Sequence, residues 1–244
     1  MKVLIIGANS AIARACARLY AADGCDLFLI GRNAERLGEL VADVGVRGAA
    51  AVSHEILDLT DHHQHERIVA EAAQTMGGID LALICHGSLP DQEACESDYE
   101  QAQREILING LSVISLLTAL APVMREQGHG TLAVITSVAG DRGRQPNYTY
   151  GAAKALVSTY LQGLRGRLHP AGVHVVDIRP GLVDSPMTAH LEKGLLWSSP
   201  ERVARGIVGA VARRRHVVYV PGYWRAIMFI VRLIPETLFK RLNF

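Results

Sequence analysis

The stretch PNYTYGAAKALVS, residues 146 to 158, holds two tyrosines and a lysine at spacings that bear on proton transfer. Residues i and i+4 share a helical face, so a helix running from Tyr150 presents the phenol of Tyr150 and the ammonium of Lys154 together. Tyr148 is expected to precede that helix and has no lysine at the same spacing, which makes Tyr150 the reactive candidate. A phenol with a reference pKa of about 10 is a poor acid-base group at neutral pH, and a nearby ammonium is expected to lower that value. Ser137, at the end of the strand predicted in AVITSVAG, is placed to hydrogen-bond a substrate oxygen as charge develops on it.

A fourth candidate is Asn109. The run EILINGLSVISLL puts Asn109 and Gly110 inside a long apolar helix, where both are poor formers. A local bulge exposing a carbonyl accounts for the placement; a tolerated kink without chemistry is the alternative.

The elements that must position these residues are legible as alternating apolar runs and helical patterns. Strands are expected at Val3–Ile6, Leu27–Ile30, Ala50–Ile56, Leu81–Cys85, Leu132–Ile135, Val173–Ile178 and Val217–Val220. Their near-continuous apolar character is that of parallel strands buried on both faces. Helices are expected at Ala11–Asp23, Ala34–Val44, Gln64–Met76, Tyr99–Arg125, Tyr150–Leu168 and Pro200–Arg213. This order implies an α/β fold, a single Rossmann-type doubly wound parallel sheet of about seven strands, with ligands at the carboxyl ends of the strands. With 244 residues, 49% of them apolar, the chain is large enough for one such core.

At the first strand-to-helix turn, IIGANSAIARAC, Gly7 opens a tight turn onto a helix whose free amides could hold a pyrophosphate. Gly7, Asn9, Ser10, Ala11 and Ile12 are therefore candidate cofactor contacts, although Ala11 and Ala13 stand where further glycines are usual. The second strand ends LFLIGRN. Gly31 occupies the place of an acid that would bind a ribose 2′-hydroxyl, and Arg32 follows, a pairing that favours a 2′-phosphate and hence NADP(H). In EILDLTD, Asp58, with Leu59 beside it, is suited to accept from an adenine amino group; capping the next helix is its alternative use. His86 and Gly87, after the fourth strand, are expected on the cleft wall, and Pro180 and Gly181 form a turn after the sixth.

Other functions are disfavoured. A net charge of +1 and 5% aromatic residues argue against nucleic-acid binding. Cys16, Cys25, Cys85 and Cys95 form no CxxC pair, so neither zinc nor a disulfide framework is expected and a cytoplasmic location fits. The first residues read as a strand and not as a secretory signal. The cluster of His62, His63 and His65 is read as solvated surface, and no metal is expected.

Taken together, the Gly7 loop, Asp58, Gly87, Asn109, Ser137, Tyr150, Lys154 and Pro180–Gly181 resemble the short-chain dehydrogenase/reductase family over about residues 2 to 220. That resemblance implies hydride transfer between a nicotinamide and a carbonyl or alcohol carbon, with Tyr150 donating the proton in reduction. Lys154 would also hold the nicotinamide ribose, and Asn109 a water of the proton relay. The segment IRPGLVDSPMT would cover the nicotinamide, with the Val183 backbone and a hydroxyl of Thr188 or Ser185 near the carboxamide. A homodimer or homotetramer built partly from the Asn109 and Tyr150 helices is implied as well. The chain departs from the family at Ala11, Ala13 and the sequence ICHG at 84 to 87, which bears on cofactor affinity.

Residues 1 to 222 are read as the NADP-binding domain and 223 to 244 as an apolar, basic tail, with a helix expected from Trp224 to Ile234. The tail either roofs the substrate pocket or settles at a membrane interface through Trp224, Met228 and Phe229 with Arg225, Arg232, Lys240 and Arg241. The tail and the loop GDRGRQ are also similar to a membrane-linked branch of the family that reduces a sugar carried on a polyprenyl phosphate. Arg142 and Arg144 could then receive a phosphate, or be surface arginines. The expected activity is reduction of a carbonyl compound, apolar or lipid-linked, at the inner face of a membrane or free of it. Reduction of a carrier-bound 3-oxoacyl chain and a non-catalytic NADP-binding sensor or scaffold are the alternatives.

Overall fold

A computed structural model describes residues 1–242. The expected tail runs two residues further, and those two lie outside the described residues. Seven strands, β1 (Lys2–Ile6), β2 (Asp26–Gly31), β3 (Ala51–Ile56), β4 (Leu81–Ile84), β5 (Gly130–Ile135), β6 (Val173–Pro180) and β7 (Val217–Val220), form one sheet. All neighbours are parallel in the order β3-β2-β1-β4-β5-β6-β7. The direction of winding reverses between β1 and β4, which opens a crevice at their carboxyl ends.

The apolar runs sort by parity onto the two faces of the sheet. Val3, Ile5, Leu27 and Leu29 pack with Cys16 and Tyr20 of α1 (Ala11–Ala22), Leu37 and Leu40 of α2 (Ala34–Val46) and Ile207 of α8 (Pro200–Ala212). Leu4, Ile6, Phe28 and Ile30 face the other way. They meet Ile68 of α3 (His65–Met76), Leu116 and Leu120 of α6 (Ser112–Gln127) and Leu161 of α7 (Tyr148–Leu168). Two short helices, α4 (Gln92–Ser97) and α5 (Tyr99–Ile106), lead into α6. The first of these was not anticipated: QEACES has no apolar period, and its start rests on Asp91, whose carboxylate accepts from the Glu93 and Ala94 amides.

One expectation about histidines is corrected. His62 and His63 are exposed, but His65 is buried, because it opens α3 on the side that meets α6, where its Nδ1 lies 2.9 Å from Ser115 Oγ.

Candidate active site

Ser137 follows β5 and caps the turn Val138–Asp141, accepting from the Ala139 amide at 3.1 Å. That turn presses directly on α7: a Cβ at Gly151 would stand 2.8 Å from the Ala139 carbonyl oxygen. The contact brings Ser137 within hydrogen-bonding reach of the Tyr150 phenol. Helix α7 begins at Tyr148, two residues earlier than expected, yet Tyr148 is solvent-exposed and Tyr150 faces a cavity of about 710 Å³ shared with Ser137 and Lys154.

Lys154 is buried, and its Nζ donates to the Ile135 carbonyl at 3.4 Å and lies 5.6 Å from the centroid of the Tyr150 ring. Burial pulls the ammonium down to about 8, with Cys85 and Asp177 acting in the opposite sense. The expected lowering of the Tyr150 pKa is not what results. Burial pushes the phenol up to about 12, outweighing the hydrogen bond with Ser137. Desolvation of the phenolate is the larger effect, so Tyr150 carries its proton throughout the neutral range.

The bulge expected at Asn109 is present as a π-helical turn, Leu107–Leu111, between α5 and α6. Asn109 itself is fully buried behind the cavity wall. Its Nδ2 donates to the Glu105 carbonyl at 3.1 Å and the Glu105 carboxylate at 3.2 Å, and its Oδ1 accepts from the Ser88 amide at 3.1 Å. Glu105 and Ser88 both line the cavity and hydrogen-bond each other. Sequence reasoning passed over both; the only hint was an acid four residues before Asn109. Gly87 keeps the gap between Asn109 and Lys154 open, since a Cβ there would lie 2.7 Å from Asn109 Oδ1 and 3.3 Å from Lys154 Nζ.

The opposite end of the same cavity lies over β1 and β2. Gly7 has φ +84°, and a Cβ on it would meet the His86 amide nitrogen at 2.5 Å. Ser10 caps α1, accepting from the Ala13 amide at 3.1 Å, while the first-turn amides of Ala11 and Ile12 have no intrahelical acceptor and line the cavity. Ala13 is buried in the core and does not narrow the cavity; Ala11 does border it. Asn9 stitches this loop to the next turn: its Oδ1 accepts from the Asn33 amide at 3.0 Å and its Nδ2 donates to the Asn33 carbonyl at 3.3 Å. Arg32 lines the cavity with no ion pair to any described residue, and so does Arg36, which sequence reasoning did not single out. Asp58 and Leu59 border the cavity here too. Asp58 Oδ1 accepts from the Thr60 amide and hydroxyl at 3.0 and 2.9 Å, which with the charge of Arg32 keeps its carboxyl below the usual range. Its other oxygen makes none of these bonds.

His86 lines the cavity, its Nε2 2.6 Å from Ser112 Oγ, and burial pushes its imidazole down to about 3, so it is neutral. Pro180, which ends β6, and Gly181, Val183 and Thr188 beyond it close the third side. Thr188 Oγ1 donates to the Val183 carbonyl at 2.6 Å, which folds the segment onto itself.

The two loop arginines part company. Arg142 donates to the Val231 and Ile234 carbonyls at 2.7 and 2.6 Å, pairs with Glu236 at 2.9 Å and stacks on Phe239. It is therefore a strut for the tail helices α9 (Trp224–Leu233) and α10 (Glu236–Phe239), not a phosphate ligand. Arg144 lines the cavity with no ion pair to any described residue, and burial lowers its pKa. Trp224 packs over Gly181, where a Cβ would sit 1.8 Å from the indole nitrogen, and with Met228 and Val138 forms a small apolar cluster.

A glycine turn onto a helix at the reversal point of a doubly wound sheet marks a Rossmann-type dinucleotide-binding protein. The short chain dehydrogenase family model matches residues 1–195, and the chain belongs to that family. It is 36% identical over 240 residues to the "Uncharacterized oxidoreductase Rv2073c" of Mycobacterium tuberculosis, covering 98% of this chain and 96% of the relative. Identity is 34% to the "Uncharacterized oxidoreductase in mprA 5′region" of Streptomyces coelicolor, across 98% of this chain and 95% of that one. The crystal structure of levodione reductase superposes with a TM-score of 0.81 at 25% identity, covering 89% of this chain and 95% of that chain. The protein is thus an oxidoreductase that works with a nicotinamide cofactor on small-molecule substrates.

Proposed function

We propose that this protein is an NADP(H)-dependent reductase of a carbonyl compound, apolar or lipid-linked. One observation carries the reading: Ser137, Tyr150 and Lys154 line the wall of the same cavity whose far end holds Arg32. The residues fit the cofactor. Gly7 leaves no side chain where the segments following β1 and β4 come together, and Ala11 and Ile12, whose amides are open, line the cavity. When bound, the nicotinamide supplies the hydride that adds to the carbonyl carbon. Ser137 hydrogen-bonds the carbonyl oxygen, and Tyr150 gives that oxygen its proton, converting C=O to CH–OH. A phenol that stays protonated to about pH 12 suits a donor in the direction of reduction. Lys154 holds a positive charge beside the phenolate left behind, and Asn109 fixes the wall at Gly87.

The 2′-phosphate preference is supported by the missing acid at Gly31 and by two arginines, Arg32 and Arg36, open to the cavity. A charge-assisted hydrogen bond is worth about 1.5–3 kcal/mol. Arg32→Ala is accordingly expected to weaken NADPH binding about 10- to 100-fold and to change NADH binding less than about threefold, read by fluorescence titration. Equal losses for both cofactors would remove the preference.

We further propose that the tail gives peripheral contact with an anionic membrane surface. Phe229, Ile230, Leu233 and Leu238 are exposed, and Arg225, Arg232, Lys240 and Arg241 around them form no ion pair with any described residue. Apolar burial and basic charge then act together. Co-sedimentation with phosphatidylserine vesicles is expected for the full chain, and a drop of about tenfold or more for the variant with Phe229, Ile230 and Leu233 all changed to serine. Equal partitioning of the two proteins would rule the contact out. Leu111 and Leu156, exposed on the π-helical turn and on α7, support a homodimer or homotetramer through these helices.

A further inference from the structure

Behind the site lies a buried charge cluster that the chemistry above does not use. Arg179 on β6 donates through Nε and Nη2 to one oxygen of Asp177 at 2.9 and 2.7 Å. Its Nη1 donates to Asp141 at 2.6 Å and to the Tyr219 hydroxyl at 3.2 Å. Tyr219 in turn donates to the second oxygen of Asp141 at 2.7 Å, and the Thr136 hydroxyl donates to the second oxygen of Asp177. Every carboxylate oxygen is therefore occupied, and both acids are almost completely buried.

Two features give the cluster a purpose. First, its ends bracket Ser137: Thr136 precedes that serine, and Asp141 ends the turn that Ser137 caps. Second, two carboxylates share one guanidinium, so one negative charge remains in a place where charge is costly unless matched. The groups facing Lys154 are Cys85 and His86 after β4, Asn109 on the π-helical turn, Tyr150 on its own helix and Asp177 on β6. Burial keeps the Cys85 thiol and the Tyr150 phenol protonated and the His86 ring neutral. Lys154 Nζ donates to the Ile135 carbonyl, and the next residue, Thr136, donates its hydroxyl to Asp177, so Asp177 is the carboxylate placed to balance the ammonium.

We propose that Asp177 is the counter-charge that keeps Lys154 protonated, and that Arg179 and Asp141 are positioning residues that fix the Ser137 turn. The catalytic half of this rests on reading Ser137, Tyr150 and Lys154 as the reacting groups; the electrostatic half does not.

The test is unfolding of the full chain as a function of pH, which needs neither cofactor nor substrate. A buried lysine with a folded value near 8, against about 10.5 unfolded, binds fewer protons folded than unfolded between those limits. Its penalty is therefore full below about pH 8 and disappears as pH rises to about 10.5. Removing the counter-charge enlarges that penalty only while the lysine is charged. The Tm deficit of Asp177→Asn relative to wild type is expected to be largest near pH 7 and to shrink by at least about half by pH 10.5. In a Lys154→Met background the deficit should not vary with pH. A deficit constant across the range, or one with the same pH dependence in the Lys154→Met background, overturns the counter-charge. Should the single variant not fold, Asp177→Asn with Arg179→Gln removes the guanidinium together with one of its two carboxylates and carries the same comparison. For the positioning half, Asp141→Asn is expected to lower kcat about tenfold with NADPH affinity unchanged; unchanged kcat overturns it. Wild type without NADPH-dependent turnover would sink the reductase reading while leaving the Tm result intact.

Discussion

Tyr150→Phe is expected to lower kcat by a factor on the order of 10³, while NADPH binding changes by less than about threefold. The substitution removes one oxygen. It is the oxygen that shares the cavity wall with Ser137 and that burial keeps protonated up to about pH 12. The ring remains, so Lys154 keeps its aromatic neighbour and α7 keeps its packing. Two comparisons make the result specific. Tyr148→Phe, two residues away on an exposed position, is expected to leave turnover unchanged. Ser137→Ala removes the partner hydroxyl and is expected to cost about 10²- to 10³-fold in kcat, since one donor to the developing oxyanion is lost. Steady-state kinetics with any accepted ketone checks all three, and full activity of Tyr150→Phe would assign the proton to another group.

Gly7→Ala is expected to abolish NADPH binding and to destabilise the fold by about 2–4 kcal/mol. The φ of +84° is one that a Cβ disfavours by about 1–2 kcal/mol. The larger part of the cost comes from contact. The new methyl would stand 2.5 Å from the His86 amide nitrogen and 2.8 Å from its Cα, and backbone cannot rotate away as a side-chain tip can. Relief requires β1 and the end of β4 to separate, which opens the crevice where the cofactor would lie. Gly38→Ala is the matched control. It lies inside α2 with no atom near its new methyl, so stability should rise by up to about 1 kcal/mol from helix propensity alone. Thermal unfolding and fluorescence titration of both variants give the answer; a Gly7→Ala protein that binds NADPH normally would mean the contact between Gly7 and His86 tolerates a side chain.

Sequence periodicity was sufficient for the inner strands β1, β2, β4 and β6 because they are buried on both faces and leave little freedom for polar residues, whereas the edge strand β3 is partly exposed and carries Ser53, His54 and Glu55. The Tyr150–Lys154 pair was legible for a similar reason: helical geometry ties the fourth residue to the first. Asn109 stood out since Asn-Gly is so poorly suited to an apolar helix that a bulge was the economical explanation, and a π-helical turn is there. What could not be read depends on contacts between distant segments. Asp141, Asp177, Arg179 and Tyr219 meet only when β6 and β7 are in register and the Ser137 turn folds over them. Arg142 and Arg144 look alike in GDRGRQ, yet one is consumed by tail carbonyls about 90 residues away and the other is left in the cavity. The sign of the Tyr150 shift was misjudged because charge proximity can be inferred from spacing, whereas desolvation needs the surrounding atoms.

All four cysteines are reduced and buried: Cys16, Cys25, Cys85 and Cys95. The native surface is thus silent toward thiol reagents, and a single cysteine introduced at an exposed position becomes a unique handle. Placed at Phe229 it would carry an environment-sensitive dye on the tail; placed at Tyr148 it would carry one beside the cavity mouth. Neither needs the native thiols removed, so both can be compared with an otherwise unaltered protein, and delayed labelling of the native four would time the opening of its interior.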